Sequence, residues 1–143
     1  MTKRVLVVED EIFVALDIEH MVQQAGFVVS DIAADRDGAL AAAPQSDIAL
    51  VDLNLRDGAT GPGIARALAK DHGIHVIYVT ANPAQIGPDH GSALGVIAKP
   101  FRMETIRAAL KIAAGHAADE AELGGFTRFR AAPGSSPTAA LQG

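Results

Sequence analysis

The chain contains no cysteine and no tryptophan, and aromatic residues make up only 4% of its 143 positions. The lack of thiols excludes disulfide staples, thiolate metal sites and cysteine nucleophiles, and suits a reducing cytoplasm. With so few aromatics in a chain that is 49% apolar, the core has to be filled by Val, Ile, Leu and Ala, as between helices and a parallel sheet. Positive charge is also in deficit. Twelve Lys and Arg against 17 Asp and Glu leave a formal net charge of -5, so nothing draws the chain generally to nucleic acid or to an anionic membrane. No apolar run approaches the roughly 20 residues of a membrane helix, and Met1-Thr2-Lys3-Arg4 leads straight into a strand-like run. A soluble, unprocessed, cytoplasmic protein is expected. Gly58, Gly61 and Gly63 miss the dinucleotide spacing and no Gly-Lys pair exists for a nucleotide phosphate loop, so nucleotide binding is not expected.

What is present is an alternation. Val5-Leu6-Val7-Val8 is a β-branched run that stops at Glu9, Asp10 and Glu11, as a buried strand does at its polar end. Ile12, Ala15, Leu16, Ile18 and Val22 then recur near helical spacing, and Gly26 is a stop signal. The pattern repeats. Strands are predicted at Val28 to Ala33, Ile48 to Val51, Val76 to Val79 and Gly95 to Ala98. Helices are predicted at Asp35 to Ala43, Ile64 to Asp71 and Met103 to about Ala118. Pro83, Gly87, Pro88, Gly91 and Gly95 leave room for at most a short or broken helix in residues 82–95. Strand and helix alternating in this way predict an α/β, flavodoxin-like, doubly wound five-stranded parallel sheet of order 2-1-3-4-5 with helices on both faces.

The predicted domain covers residues 1–120. Residues 121–143, with Gly124, Gly125, Pro133, Gly134, Ser135, Ser136 and Pro137, are expected to form a flexible tail. Within that tail Phe126, Arg128, Phe129 and Arg130 form a small aromatic and basic cluster suited to docking on a partner or on the domain itself.

Four strand ends carry the polar residues: Glu9 and Asp10 after the first, Asp52 after the third, Thr80 after the fourth, Lys99 after the fifth. Ligands in such sheets bind at the carboxyl ends of the strands, where strand order reverses. Close carboxylates repel by about 4 kcal/mol per pair at an effective dielectric of 20, and a hard divalent ion relieves that. Mg²⁺ prefers oxygen donors and keeps several waters. The expected ligands are Asp10, Asp52 and the Asn54 carbonyl, with Glu9 acting through water. An Asp52 oxygen is then a candidate nucleophile toward phosphorus. The Lys99 ammonium, the Thr80 hydroxyl and the Ala81 backbone N–H would surround the phosphoryl oxygens.

Taken together, Val8-Glu9-Asp10-Glu11, Val51-Asp52-Leu53-Asn54-Leu55, Val79-Thr80-Ala81-Asn82 and Ala98-Lys99-Pro100-Phe101 resemble the receiver domain of two-component response regulators, over roughly residues 4–118. The resemblance implies Mg²⁺-dependent transfer from a phosphohistidine to Asp52, with a sensor histidine kinase or phosphotransfer protein upstream and an unidentified protein downstream. It also implies a cis Lys99-Pro100 bond. The stretch from Leu55 to Gly61 and the broken fourth helix resemble receivers of the alphaproteobacterial general stress regulator, without its sigma-factor-like domain. A stand-alone receiver is therefore expected, a monomer or weak dimer that catalyses at most its own phosphorylation and dephosphorylation.

Two departures stand out. Most receivers carry an aromatic three residues before the lysine, and here that position is Val96; Tyr78, inside a strand, reads as core. Residues 82–95 replace what is normally an ordered helix, and are expected to be the moving part. Two other functions compete with this reading: a phosphorylation-independent interaction module with the same fold, and a phosphatase of the haloacid dehalogenase type. The second wants an Asp where Asn54 stands. Lys99 by itself reads as a solvent-edge lysine, Glu11 as a first-turn acid, and His72 and His75 as loop residues lacking further metal ligands.

Overall fold

In the computed structural model, residues 2–86, 93–116 and 124–129 are described. Five parallel strands are laid down in chain order: β1 (Arg4–Val8), β2 (Val28–Ala33), β3 (Ile48–Val51), β4 (His75–Thr80) and β5 (Gly95–Ala98). The helices α1 (Ile12–Gln24), α2 (Arg36–Ala42), α3 (Gly61–His72) and α4 (Met103–Ala113) connect or follow them. The order across the sheet is 2-1-3-4-5, as predicted, but among the described residues the sheet has six strands and not five. The sixth, β6 (Phe126–Arg128), lies antiparallel on the outer edge of β5, inside the stretch expected to be a flexible tail. The rest of that tail, residues 121–123 and 130–143, is outside the described residues.

The strands read as continuous apolar runs because both faces are covered. Leu6, Val8, Ala49, Val51, Val76, Tyr78 and Val96 pack on one side against α2 and α3. Val5, Val7, Ile48, Leu50, Ile77, Val79 and Ile97 pack on the other against α1 and α4. Helix α1 buries Ala15, Ile18 and Val22, at the predicted spacing. Ile12 and Leu16, which recur with them at helical spacing, lie off the buried stripe at 56% and 45% exposed, beside Phe13 at 81%.

The sixth strand has a local cause. A Cβ on Gly95 would lie 2.4 Å from the Thr127 carbonyl oxygen and 2.7 Å from the Phe126 ring, so the bare glycine is the notch that admits β6. Phe126 is buried in it, and Thr105 Oγ1 donates to the Gly124 carbonyl at 2.6 Å. Phe129, next along, meets Tyr78 edge-on at a centroid distance of 6.5 Å and joins the cluster that holds Val96. An aromatic thus reaches the β5 flank from 33 residues further along the chain rather than from position 96. In residues 82–95 the structure has a 3₁₀ turn, Pro83–Ile86; residues 87–92 lie outside the described residues. The Lys99-Pro100 peptide is cis.

Candidate phosphoryl and metal site

The cleft opens at the carboxyl ends of β1, β3, β4 and β5, where the crossovers leave in opposite directions. It has a volume of about 330 Å³ and is lined by Asp10, Asp52, Asn54, Thr80, Ala81 and Lys99 among others. Six of the seven residues expected at the site therefore line one cavity. Glu9, the seventh, sits just beneath, 3% exposed.

The strand register brings the acids together. Val8 pairs with Val51, so the next residues, Glu9 and Asp52, emerge side by side, and Asp52 N–H donates to the Val8 carbonyl at 3.0 Å. Carboxylate oxygens of Glu9, Asp10 and Asp52 all lie within 4.8 Å of one another. Facing them, Thr80 pairs with Ala98, and Lys99 N–H donates to the Thr80 carbonyl at 2.9 Å. The Lys99 ammonium crosses to the acids, 2.7 Å from Glu9 Oε1 and 3.1 Å from Asp52 Oδ2.

Lys99 is not the solvent-edge lysine its sequence context suggests, for its side chain is only 16% exposed. Burial pulls its pKa down, but the hydrogen bonds and negative charge of Glu9 and Asp52 outweigh that and leave it raised. Burial pushes Glu9 up, and hydrogen bonds from Lys99 and the Glu11 N–H offset only part of it. The two carboxylates thus hold Lys99 charged, while burial is what makes Glu9 reluctant to ionise. Three carboxylates face one ammonium, all donors are hard oxygens, and the set fits a small divalent cation. The structure also gives Glu9 a task that sequence reasoning missed. Its Oε1 accepts from Lys99 and its Oε2 from the Glu11 N–H at 3.1 Å, so it anchors the lysine.

Asp52 is oriented from both ends, Oδ1 accepting the Leu53 N–H at 2.7 Å and Oδ2 accepting Lys99. The wholly buried Thr80 hydroxyl accepts the Asn82 N–H at 3.1 Å, which leaves its own proton for donation to another oxygen. Asn54 is paired across the cleft with Gln85, a residue that no local pattern singled out. Glu11 also lines the cleft, and its N–H rather than its carboxylate serves Glu9. Outside the cleft mouth, Arg56 is held by Asp35 at 2.8 Å, which ties the β3 loop to the start of α2.

Among known proteins, the family model described as the response regulator receiver domain matches residues 5–111. The chain is 31% identical over 114 residues to the phyllosphere-induced regulator PhyR of Methylorubrum extorquens, an alignment covering 77% of this chain and 43% of that protein. The chain thus spans less than half the length of that relative. The solution structure of the PhyR receiver domain from Erythrobacter litoralis superposes with a TM-score of 0.74 at 26% identity, covering 80% of this chain and 91% of that one. The receiver domain of a Pseudomonas aeruginosa sensor histidine kinase, solved with magnesium coordinated in its active-site cleft, gives 0.66 at 25% identity, covering 80% and 99%.

Proposed function

The chain belongs to the response regulator receiver domain family, and from that premise we propose that Asp52 accepts a phosphoryl group from a phosphohistidine in a Mg²⁺-dependent transfer. The observation that carries the proposal is the placement of Asp52 between an acidic cluster and Lys99 in an open cleft. Asp10, Asp52 and the Asn54 carbonyl would hold the cation, with Glu9 in reach through water. When bound, Mg²⁺ neutralises charge gathering on the phosphoryl oxygens.

The chain's own groups do the rest. A free lone pair on the Asp52 carboxylate attacks phosphorus, the bond from phosphorus to the donor imidazole breaks, and its electron pair returns to the imidazole nitrogen. Lys99, held by Glu9, keeps a positive charge beside the receiving carboxylate. The Thr80 hydroxyl, with Ala81 N–H beside it, donates to the arriving oxygens. The upstream partner is a sensor histidine kinase or phosphotransfer protein. Helix α1 starts at the acidic loop with Ile12 and Phe13 exposed, which supports protein contact there. The output is a protein contact that changes with phosphorylation, or onward relay of the phosphoryl group, rather than turnover of a substrate. No helix among the described residues is long and apolar enough to cross a membrane.

The test is mass spectrometry after incubation with acetyl phosphate and Mg²⁺. One phosphoryl group per chain is expected, absent in Asp52→Asn and suppressed by chelation of Mg²⁺. Label surviving in Asp52→Asn places the acceptor elsewhere. Steady turnover of small phosphate esters would favour the phosphatase, and no labelling at all the phosphorylation-independent module.

A further inference from the structure

One bridge spans the cleft mouth and plays no part in the transfer chemistry described above. Asn54 Nδ2 donates to Gln85 Oε1 at 3.1 Å while Gln85 Nε2 donates to Asn54 Oδ1 at 3.0 Å. A single hydrogen bond lets its partners swivel, whereas a reciprocal pair fixes both planes. Gln85 is itself placed by its turn: its N–H donates to the Asn82 carbonyl at 3.0 Å, and Asn82 N–H donates to Thr80 Oγ1 at 3.1 Å. A hydrogen-bonded path therefore runs from the Thr80 hydroxyl through Asn82 and Gln85 to Asn54.

We propose that Gln85 is a positioning residue of the phosphoryl site, holding Asn54 in place and fastening the Pro83–Ile86 turn to the metal side of the cleft. The proposal rests on the functional reading above. The turn contributes no fully buried residue; the half-buried Ile86 packs against the core at its end, but positions 81–85 are all exposed, so polar contacts are what fix the part that carries Gln85. Asn54 is exposed too and follows the buried Leu53. The amide pair anchors its side chain and so limits movement of its peptide group, which carries the carbonyl expected at the cation. The same tether ties the Thr80 side to occupancy of the site. Whatever shifts Asn54 pulls on Gln85, and through Asn82 on the Thr80 hydroxyl.

The experiment uses the full chain as wild type, Gln85→Leu, and the exchanged pair Asn54→Gln with Gln85→Asn. The exchange restores two amides of the same combined length. Mg²⁺ alone is titrated by calorimetry, and amide exchange of residues 82–86 is followed alongside a thermal melt. Gln85→Leu is expected to weaken Mg²⁺ binding about fivefold, the weight of one or two net hydrogen bonds. It should also speed exchange in 82–86 with the melt unchanged, and the exchanged pair should recover both. Equal Mg²⁺ affinity in wild type and Gln85→Leu, or no recovery in the exchanged pair, overturns the role of Gln85 alone. A wild-type chain that takes up no Mg²⁺ overturns the functional reading and this inference with it.

Discussion

The bank of the cleft formed by the ends of β1 and β3 is held by backbone, whereas the bank formed by residues 81–86 is held by polar contacts at the surface and by one apolar side chain, the half-buried Ile86. On the first, Glu9 and Asp52 are 3% and 8% exposed, the Asp52 N–H is tied to Val8, and Gly61 at the start of α3 donates to the Leu53 carbonyl at 3.1 Å. On the second, Thr80 is buried, residues 81–85 are exposed, and Pro83–Ile86 form a single 3₁₀ turn that ends on the half-buried Ile86. The contrast divides labour. Preorganised acids and a fixed lysine suit chemistry that depends on placement, while a bank attached by few contacts opens at low free-energy cost and suits a reporter.

The comparison can be broken most severely at Gly61. A Cβ there would sit 2.2 Å from the Asp52 carbonyl oxygen and 2.6 Å from Leu53 Cα, so Gly61→Ala has to displace the β3 loop. A loss of about 3 kcal/mol is expected in a urea melt, together with loss of labelling on Asp52. Next is Lys99→Ala, which strands two buried carboxylates. About 2 kcal/mol of destabilisation in chelator is expected, below the range for fully buried pairs because the cleft is open to water. Mg²⁺ should restore part of it, and a melt with and without the ion measures this. An unchanged melt in chelator would mean that the ion pair contributes nothing to holding the first bank.

The smallest effect tests the outer support of that bank. The Gly38 N–H, and then Arg56, hold the Asp35 carboxyl below its ordinary value of 3.8. A depressed folded pKa means stability present above the unfolded value and lost as pH falls through the folded one. Asp35→Asn keeps the cap acceptor and removes the charge. Its melting temperature should fall about 1–2 °C below wild type at pH 7, and the gap should close as pH drops below 3.8. A gap that persists in acid would assign the effect to altered cap geometry instead.

Much of the first bank was legible in advance. A strand buried on both faces announces itself as an apolar run, and the polar residue that ends it is fixed at the sheet's carboxyl edge. Asp52 and Lys99 could therefore be placed in one cleft from their positions after Val51 and Ala98. The second bank was legible only as a break, because Pro83 and the glycines after residue 86 say that a helix fails without saying what replaces it. Ile12 and Leu16 make a related point: helical spacing marks an apolar sector but not how much of it the sheet will cover.

By itself the sequence determined the order of β1 to β5, the two covered faces, and which residues would meet at the sheet edge, since these follow from local patterns of burial and from parallel crossovers. Only the tertiary structure decided that Phe126–Arg128 pairs with β5, that Glu9 holds Lys99, and that Gln85 meets Asn54. These contacts join residues about 31, 90 and 31 positions apart, and each depends on what a partner presents on arrival: a missing Cβ at Gly95, an uncompensated charge at Lys99, an amide turned toward its complement. Periodicity along the chain carries no record of such pairings.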